Sequence, residues 1–276
     1  MRRAVLLILT AALMLAVPAG SCAAEELRID ASLGRLYGIL TVPDSDGPVP
    51  LIIISHGFNG THRDKQDYAD WFAEQGFAVF SLDFCGGGEG SKSDGTMSEM
   101  SVLTKAEDLN AVVDHFLADG RFDCILLWGS SQGGFVTGYV AAQRPRDIRA
   151  VVLEFPAIVL PDLAKDTAGP DGSFPENAEL NGVTVSRKYL EDAASVDYYT
   201  QLAAYTGPVL ILHGDADPLV PLSYSIRAQE VLDDAALIIY PGQEHGFQGR
   251  ARDSAKAAEA AFFAEWAGED DPSAAA

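Results

Sequence analysis

Short runs of unbroken apolar residues punctuate the chain: Leu51–Ile54, Ala78–Phe80, Ile125–Trp128, Ala150–Leu153, Val209–Leu212 and Leu237–Ile239. A strand with one face in water alternates apolar and polar residues, whereas a strand covered on both faces is apolar at every position. Amphipathic stretches of helical length lie between these runs, at 63–76, 99–119, 133–144, 221–233 and 251–266. The alternation predicts an α/β fold with a doubly wound, mostly parallel sheet. Ahead of it, alternating segments at 26–32 and 35–42, separated by Leu33-Gly34, predict an antiparallel hairpin at the sheet edge. One segment breaks the rhythm: residues 156–200 carry Pro156, Pro161, Pro170 and Pro175 and no clear run of either period before Val185. So long an excursion between two core strands predicts a functional insertion, a lid.

The first residues follow a different logic. Arg2-Arg3 precede an apolar run from Ala4 to Val17, broken only by Thr10, and then small residues from Pro18 to Ala24. This pattern predicts a secretory signal peptide over residues 1–24 and one exported domain over 25–276. The run is about 14 residues, short of the ~20 that cross a bilayer as a helix, so no stable membrane span is expected. Cys22 offers a second route, cleavage before a cysteine that then carries lipid, but Ala19 stands where that signal usually has Leu. Export without a lipid anchor is the favoured reading. Cleavage removes two arginines and no acid, leaving 17 basic against 40 acidic residues and a net charge of −23. Such a surface excludes nucleic acid, which binds clustered cations. Cys85 and Cys124 remain in the mature chain. One follows the end of a predicted strand and the other begins one, too far apart in a parallel sheet for a disulfide, so both are expected free and mostly buried.

The candidate chemistry starts at Gly129-Ser130-Ser131-Gln132-Gly133, a G-x-S-x-G motif centred on Ser131. By composition alone the pattern arises in roughly one such chain in seven. Its place between an apolar strand and a helical stretch gives it weight, because a tight strand-to-helix turn is what projects a nucleophilic serine clear of a sheet. Ser130 is excluded by the same template, since Trp128 stands where the turn needs glycine. A serine hydroxyl needs a general base, oriented in turn by a carboxylate, and on this architecture the order is serine, acid, histidine. His245, in a loop after the last apolar run, satisfies that order. Asp215 and Asp217 both follow the strand ending at His213-Gly214, and either can orient it. The developing oxyanion needs donors, the first being the backbone N–H of Gln132 at the positive end of the following helix. No cluster of His, Cys and carboxylates has metal-ligand spacing, and no cofactor is implied.

The segment His213-Gly214-Asp215-Ala216-Asp217-Pro218-Leu219-Val220-Pro221 resembles the H-G-x-x-D-x-x-V-P segment of α/β-hydrolases, whose second aspartate is the triad acid. The resemblance, which covers residues 26–266, assigns that role to Asp217. His56-Gly57-Phe58-Asn59-Gly60 is similar to the superfamily's oxyanion loop and implies a second donor at the Phe58 N–H. Asp83 to Ser91 resembles a D-x-x-G-x-G-x-S turn that buttresses the rim of the site, and it lacks a phosphate-loop pattern. Within the superfamily, H-G-F, G-x-S-Q-G-G and the insertion resemble bacterial cinnamoyl (feruloyl) esterases most closely. That implies a lid recognising the phenolic ring of a small ester, with Tyr189 as a substrate contact. Asp162 is the counterpart of the lid aspartate, one position off in register. The rivals are a serine peptidase of the prolyl oligopeptidase type, a dienelactone-type hydrolase, and a silent binding module. The first usually brings a large amino-terminal propeller that the 24 to 50 residues ahead of the domain cannot supply. The second uses Cys where this chain has Ser131, and the third is expected to have lost a triad residue.

Overall fold

In the computed structural model, which describes residues 22–268, every one of the apolar runs is a strand of the same sheet. In chain order the elements are β1 (Ala23–Ala31), β2 (Gly34–Val42), β3 (Val49–Ser55), α1 (Gln66–Glu74), β4 (Ala78–Asp83), α2 (Val102–Leu117), β5 (Phe122–Ser130), α3 (Gln132–Gln143) and β6 (Ile148–Glu154). The insertion follows, as α4 (Leu160–Asp166), β7 (Asn177–Leu180), β8 (Val183–Ser186), α5 (Arg187–Ser195) and α6 (Tyr198–Leu202). The chain then returns to the sheet with β9 (Val209–Gly214), α7 (Ser223–Val231), β10 (Ala235–Tyr240) and α8 (Gly249–Ala267). The sheet runs β1-β2-β4-β3-β5-β6-β9-β10, with β2 antiparallel to β1 and β4 and every other pair parallel.

The unbroken apolar runs are explained by two separate cores. Ile52, Ile54, Leu126 and Trp128 face α1 and α8, while their neighbours Leu51, Ile53, Ile125 and Leu127 face α2, α3 and the insertion. A strand buried on both sides has no position left for a polar side chain. Each helix contributes one stripe: Tyr68, Phe72 and Ala73 from α1, and Val102, Leu109, Val112 and Phe116 from α2. Helix α2 starts sharply, because Ser101 and Thr104 exchange side-chain and backbone hydrogen bonds as a capping box.

Two expectations need correcting in detail. The hairpin loop is Ser32-Leu33, because Gly34 already pairs with Ala31, and Asp94 holds it there by accepting the Arg35 N–H at 2.8 Å. The insertion is ordered well before Val185, through α4 and the β7–β8 hairpin. Elements of four to seven residues are too short to show a period, although Pro161 at the start of α4 is where proline suits a helix. The expected signal peptide falls outside the described residues up to position 21; Cys22 is exposed, and β1 begins at Ala23. No helix among the described residues is long and apolar enough to cross a membrane. Cys85 and Cys124 are free, Cys85 buried and Cys124 partly so, and burial pushes both thiols up to about 12.

The crossovers leave β3 in opposite directions, through α1 to β4 on one side and onward through α2 to β5 on the other. The crevice beyond the carboxyl ends of β3 and β5 is therefore the topological switch point, where ligands bind in open α/β sheets. Register sets the strand ends level there, Ser55 beside Gly129 and Ser130 beside Glu154.

On the face covered by α1 and α8, Glu154 and Glu259 are both buried. Glu154 accepts from Tyr68 Oη at 2.6 Å and from Lys65 Nζ at 3.4 Å, whereas neither oxygen of Glu259 has a hydrogen-bond partner of good geometry. Burial first, and then the Glu154 charge, holds the Glu259 carboxyl well above its ordinary 4.5. The unfolded chain releases that proton near 4.5 and the folded chain keeps it, so this group's contribution to stability is full below that pH and declines as pH rises. Glu259→Gln is accordingly expected to match wild type at pH 4.5 and to melt at least about 2 °C above it at pH 8, read from thermal unfolding at both values.

Candidate active site

The strand β5 ends in a turn too tight for ordinary residues. A Cβ on Gly129 would lie 2.3 Å from Thr137 Oγ1, and one on Gly133 would lie 2.2 Å from the Ser55 carbonyl oxygen. Ser131 between them holds φ 52° and ψ −122°, a conformation that costs a non-glycine residue about 1–3 kcal/mol. Its backbone is held on both sides: the N–H donates to Glu154 O at 3.0 Å, and the C=O accepts from Ala157 N at 2.8 Å and Phe135 N at 3.1 Å. The strained turn thereby lifts the hydroxyl out of the sheet at the first turn of α3.

Ser131 Oγ lies 2.9 Å from His245 Nε2, and His245 Nδ1 lies 2.7 Å from Asp217 Oδ2. With Asp217 ionised, Nδ1 carries the proton and donates it, which leaves Nε2 as the acceptor for the serine hydroxyl. The loop after β10 brings His245 over the sheet edge, where its ring meets Phe155 edge-on at 4.8 Å. Asp217 is fixed by the turn after β9. Its Oδ1 accepts from Leu219 N at 2.8 Å and Val220 N at 2.9 Å, and buried His213 Nε2 is 3.3 Å from Oδ2. Burial alone would raise this carboxyl, but the bonds from His213, His245 and Val220 outweigh it and hold the group well below the usual carboxylate range. Asp215 is exposed and accepts from Gly242 N at 2.6 Å, so it braces the turn after β10. Of the two aspartates, it is Asp217 that the backbone aims at the histidine.

The loop after β3 abuts this group, since a Cβ on Gly57 would sit 3.4 Å from that of Ser131. The backbone N–H groups of Phe58 and Gln132 donate to no acceptor among the described residues. Two orphan donors beside a serine, one of them at a helix amino terminus, can stabilise negative charge on an oxygen there. His56 below them is buried and pushed down to about 3, first by burial and then by the Lys105 charge. It stays neutral, donating from Nδ1 to Gly57 O at 2.7 Å and accepting the Phe84 N–H at Nε2, 3.2 Å away. The turn from Asp83 to Ser91 packs behind: Asp83 takes His62 and Lys92 N–H groups, and Gly88 N–H donates to Gly60 O at 3.1 Å.

Tyr189, on α5, reaches the same place from the insertion. It is buried, accepts from Gln132 Nε2 at 2.7 Å and sets its ring edge-on to Phe58 at 6.1 Å. Asp162 does not join it. It is exposed on α4 and accepts from Tyr224 Oη at 2.7 Å, which ties the insertion to α7. His213 stood in the H-G-x-x-D segment with no role assigned to it, and Lys105 is announced by no motif. Lys105 is fully buried and donates to Gln132 Oε1 at 2.6 Å; burial pulls its ammonium down to about 7, against the upward pull of Asp108. A signal was present, because Lys105 stands on the stripe of Val102, Leu109, Val112 and Phe116, where an apolar residue is the default.

Serine, aspartate and histidine in that chain order, on a sheet whose crossovers wind both ways, are the hallmark of the α/β-hydrolases, and this chain is one. More narrowly, it belongs to the prolyl oligopeptidase family, whose model matches residues 65–270. The uncharacterized protein YfhR of Escherichia coli K12 is 29% identical over 232 residues, which is 80% of this chain and 73% of that one. A monoacylglycerol lipase of Mycolicibacterium smegmatis is 26% identical over 243 residues, covering 76% of this chain and 85% of its own. Among solved structures, Est1E from Butyrivibrio proteoclasticus with ferulic acid bound superposes with a TM-score of 0.81 at 26% identity, covering 88% of this chain and 100% of Est1E.

Asp217→Asn is expected to slow labelling of Ser131 by a fluorophosphonate by about 100-fold or more, because the amide no longer fixes the histidine tautomer. Asp215→Asn should label within about threefold of wild type, since a surface substitution away from the site has small effects. Rates from gel fluorescence or intact mass decide between the two carboxylates.

Proposed function

We propose that the protein is a serine carboxylic-ester hydrolase acting on hydroxycinnamoyl (feruloyl) or other small acyl esters. The observation that carries this reading is the chain of hydrogen bonds from Ser131 Oγ through His245 to Asp217, at 2.9 and 2.7 Å. Ser131 attacks the ester carbonyl while His245 Nε2 takes its proton, and the oxyanion is met by the Phe58 and Gln132 N–H groups. His245 then protonates the leaving alcohol, giving an acyl-enzyme on Ser131. A water attacks that ester with His245 again as base, and the acid leaves with the serine restored.

The acyl specificity rests on the insertion. A partly open cavity of about 170 Å³ within it is lined by Leu160, Ala164, Val185, Leu190, Thr167 and Glu179, and by Tyr189, which joins it to the Ser131 group through Gln132. The likeness to Est1E, in the structure titled with ferulic acid, supports a hydroxycinnamoyl group, and the likeness to a monoacylglycerol lipase supports esters more broadly. The pattern of residues 1–24 supports export, which fits an enzyme that meets esterified plant polysaccharide fragments or their small products outside the cytoplasm. Membership of the prolyl oligopeptidase family favours a second reading, a serine peptidase using the same groups.

Purified protein is expected to hydrolyse p-nitrophenyl acetate and methyl ferulate, and Ser131→Ala to lose about 10⁴-fold or more on both. Turnover of acetate alone would keep the esterase and remove the hydroxycinnamoyl assignment. Cleavage of an N-acetylalanyl p-nitroanilide with neither ester attacked would move the assignment to the peptidase.

A further inference from the structure

A lysine is an odd choice for the Lys105 position. Its ammonium is removed from water, over the Phe84 ring at 5.1 Å, and among the described residues no carboxylate comes within ion-pair distance. Asp108, about one turn further along α2, is the acid whose charge acts on Lys105. Its oxygens are occupied by the N–H and hydroxyl of Ser32 and the N–H of Cys85. Burying a charge this way costs several kcal/mol, whereas a methionine or leucine on the same stripe would fill the space at no such cost. The residue must then supply something that an apolar side chain cannot.

What it supplies is a direction. Lys105 Nζ donates to Gln132 Oε1 at 2.6 Å, which turns the oxygen of that amide toward α2. The amide nitrogen is thereby committed to Tyr189, 2.7 Å away on α5 of the insertion. Tyr189 Oη accepts that bond, and its own hydrogen is left to point elsewhere. Gln132 also carries one of the two orphan backbone donors, and Tyr189 lies edge-on to Phe58, which carries the other. One chain of contacts, Lys105 to Gln132 to Tyr189 to Phe58, therefore joins α2, the nucleophile turn, the insertion and the β3 loop.

We propose that Lys105 is a positioning residue: by fixing the orientation of the Gln132 side chain it locks Tyr189 against the two oxyanion donors, so that insertion and oxyanion hole act as one rigid unit. The inference rests on the esterase reading of Ser131 and deepens it. With methionine at position 105, the Gln132 amide is free to rotate by 180°, and the donors lose their fixed spacing while the nucleophile, base and acid are untouched. Misplaced donors weaken binding of the transition state more than that of the ground state, so the loss falls on kcat.

The test is a double-mutant cycle on p-nitrophenyl acetate hydrolysis, combining Lys105→Met with Tyr189→Phe. Lys105→Met is expected to lower kcat about tenfold with KM within about twofold, and to melt no lower than wild type because a buried charge has been removed. The double variant should be no slower than the slower single one, as coupled members of one chain are non-additive. Gln132→Leu, which keeps the backbone donor and breaks the same link from the other side, should reproduce the Lys105→Met loss; if Lys105→Met does not fold, this variant takes its place in the cycle. Unchanged kcat in a folded Lys105→Met, or losses that multiply in the double variant, would overturn the proposal. Wild-type protein that cleaves no ester would instead overturn the esterase reading on which it rests.

Discussion

The backbone of Ser131 is the constraint on which the rest of the site depends. A φ of 52° at a residue with a side chain is unfavourable, and it persists because the surroundings leave no alternative. Glycines at 129 and 133 let the turn close against Thr137 and Ser55, and hydrogen bonds from Ala157 and to Glu154 pin both sides of the peptide. The consequence is that the hydroxyl stands free of the sheet while the helix behind it begins with unpaired N–H groups. The exposed hydroxyl and the orphan N–H beside it are therefore products of a single local geometry. The register that sets β3, β5 and β6 level makes that geometry possible, because it puts the β3 loop beside the turn and the Glu154 carbonyl under it.

Much of this was legible in the sequence, for reasons that differ from residue to residue. Strands such as Leu51–Ile54 announce themselves because burial on two faces removes every polar position, and the glycines around Ser131 because nothing larger fits. Asp217 was separable from Asp215 only through a resemblance, since both follow β9 and the difference lies in backbone direction: Asp217 faces His245 and Asp215 faces Gly242. Placement failed where side chains act across long sequence distances without a period. Asp162, expected near the substrate, bonds Tyr224 instead, and α4 and the β7–β8 hairpin were too short to register. The hairpin loop shifted by one residue because Asp94, some sixty positions away, captures the Arg35 N–H.

Two buried ionisable groups stand apart from the packing logic of the cores. Glu259 sits on the α1 and α8 face without a good hydrogen-bond partner and keeps its proton, and Lys105 sits on the opposite face held by a neutral amide. Each occupies a position that an apolar residue would fill more favourably, so each weakens the fold it belongs to. They differ in what they touch. Lys105 leads within two side chains to the insertion and to Phe58, whereas Glu259 leads to neither. Membership of the prolyl oligopeptidase family and likeness to Est1E fit this division, in which one scaffold with a fixed nucleophile turn carries different specificities through what is inserted above it.

The central claim, that Ser131 becomes acylated during turnover, is tested most directly by trapping the intermediate. Protein quenched in acid during p-nitrophenyl acetate hydrolysis should carry one acetyl group, and tandem mass spectrometry of the peptide spanning Gly129 to Arg144 should place it on Ser131. Acetyl found on Ser130 or on another residue, or turnover at full rate with no acetyl on Ser131 even at the earliest quench, would contradict the account.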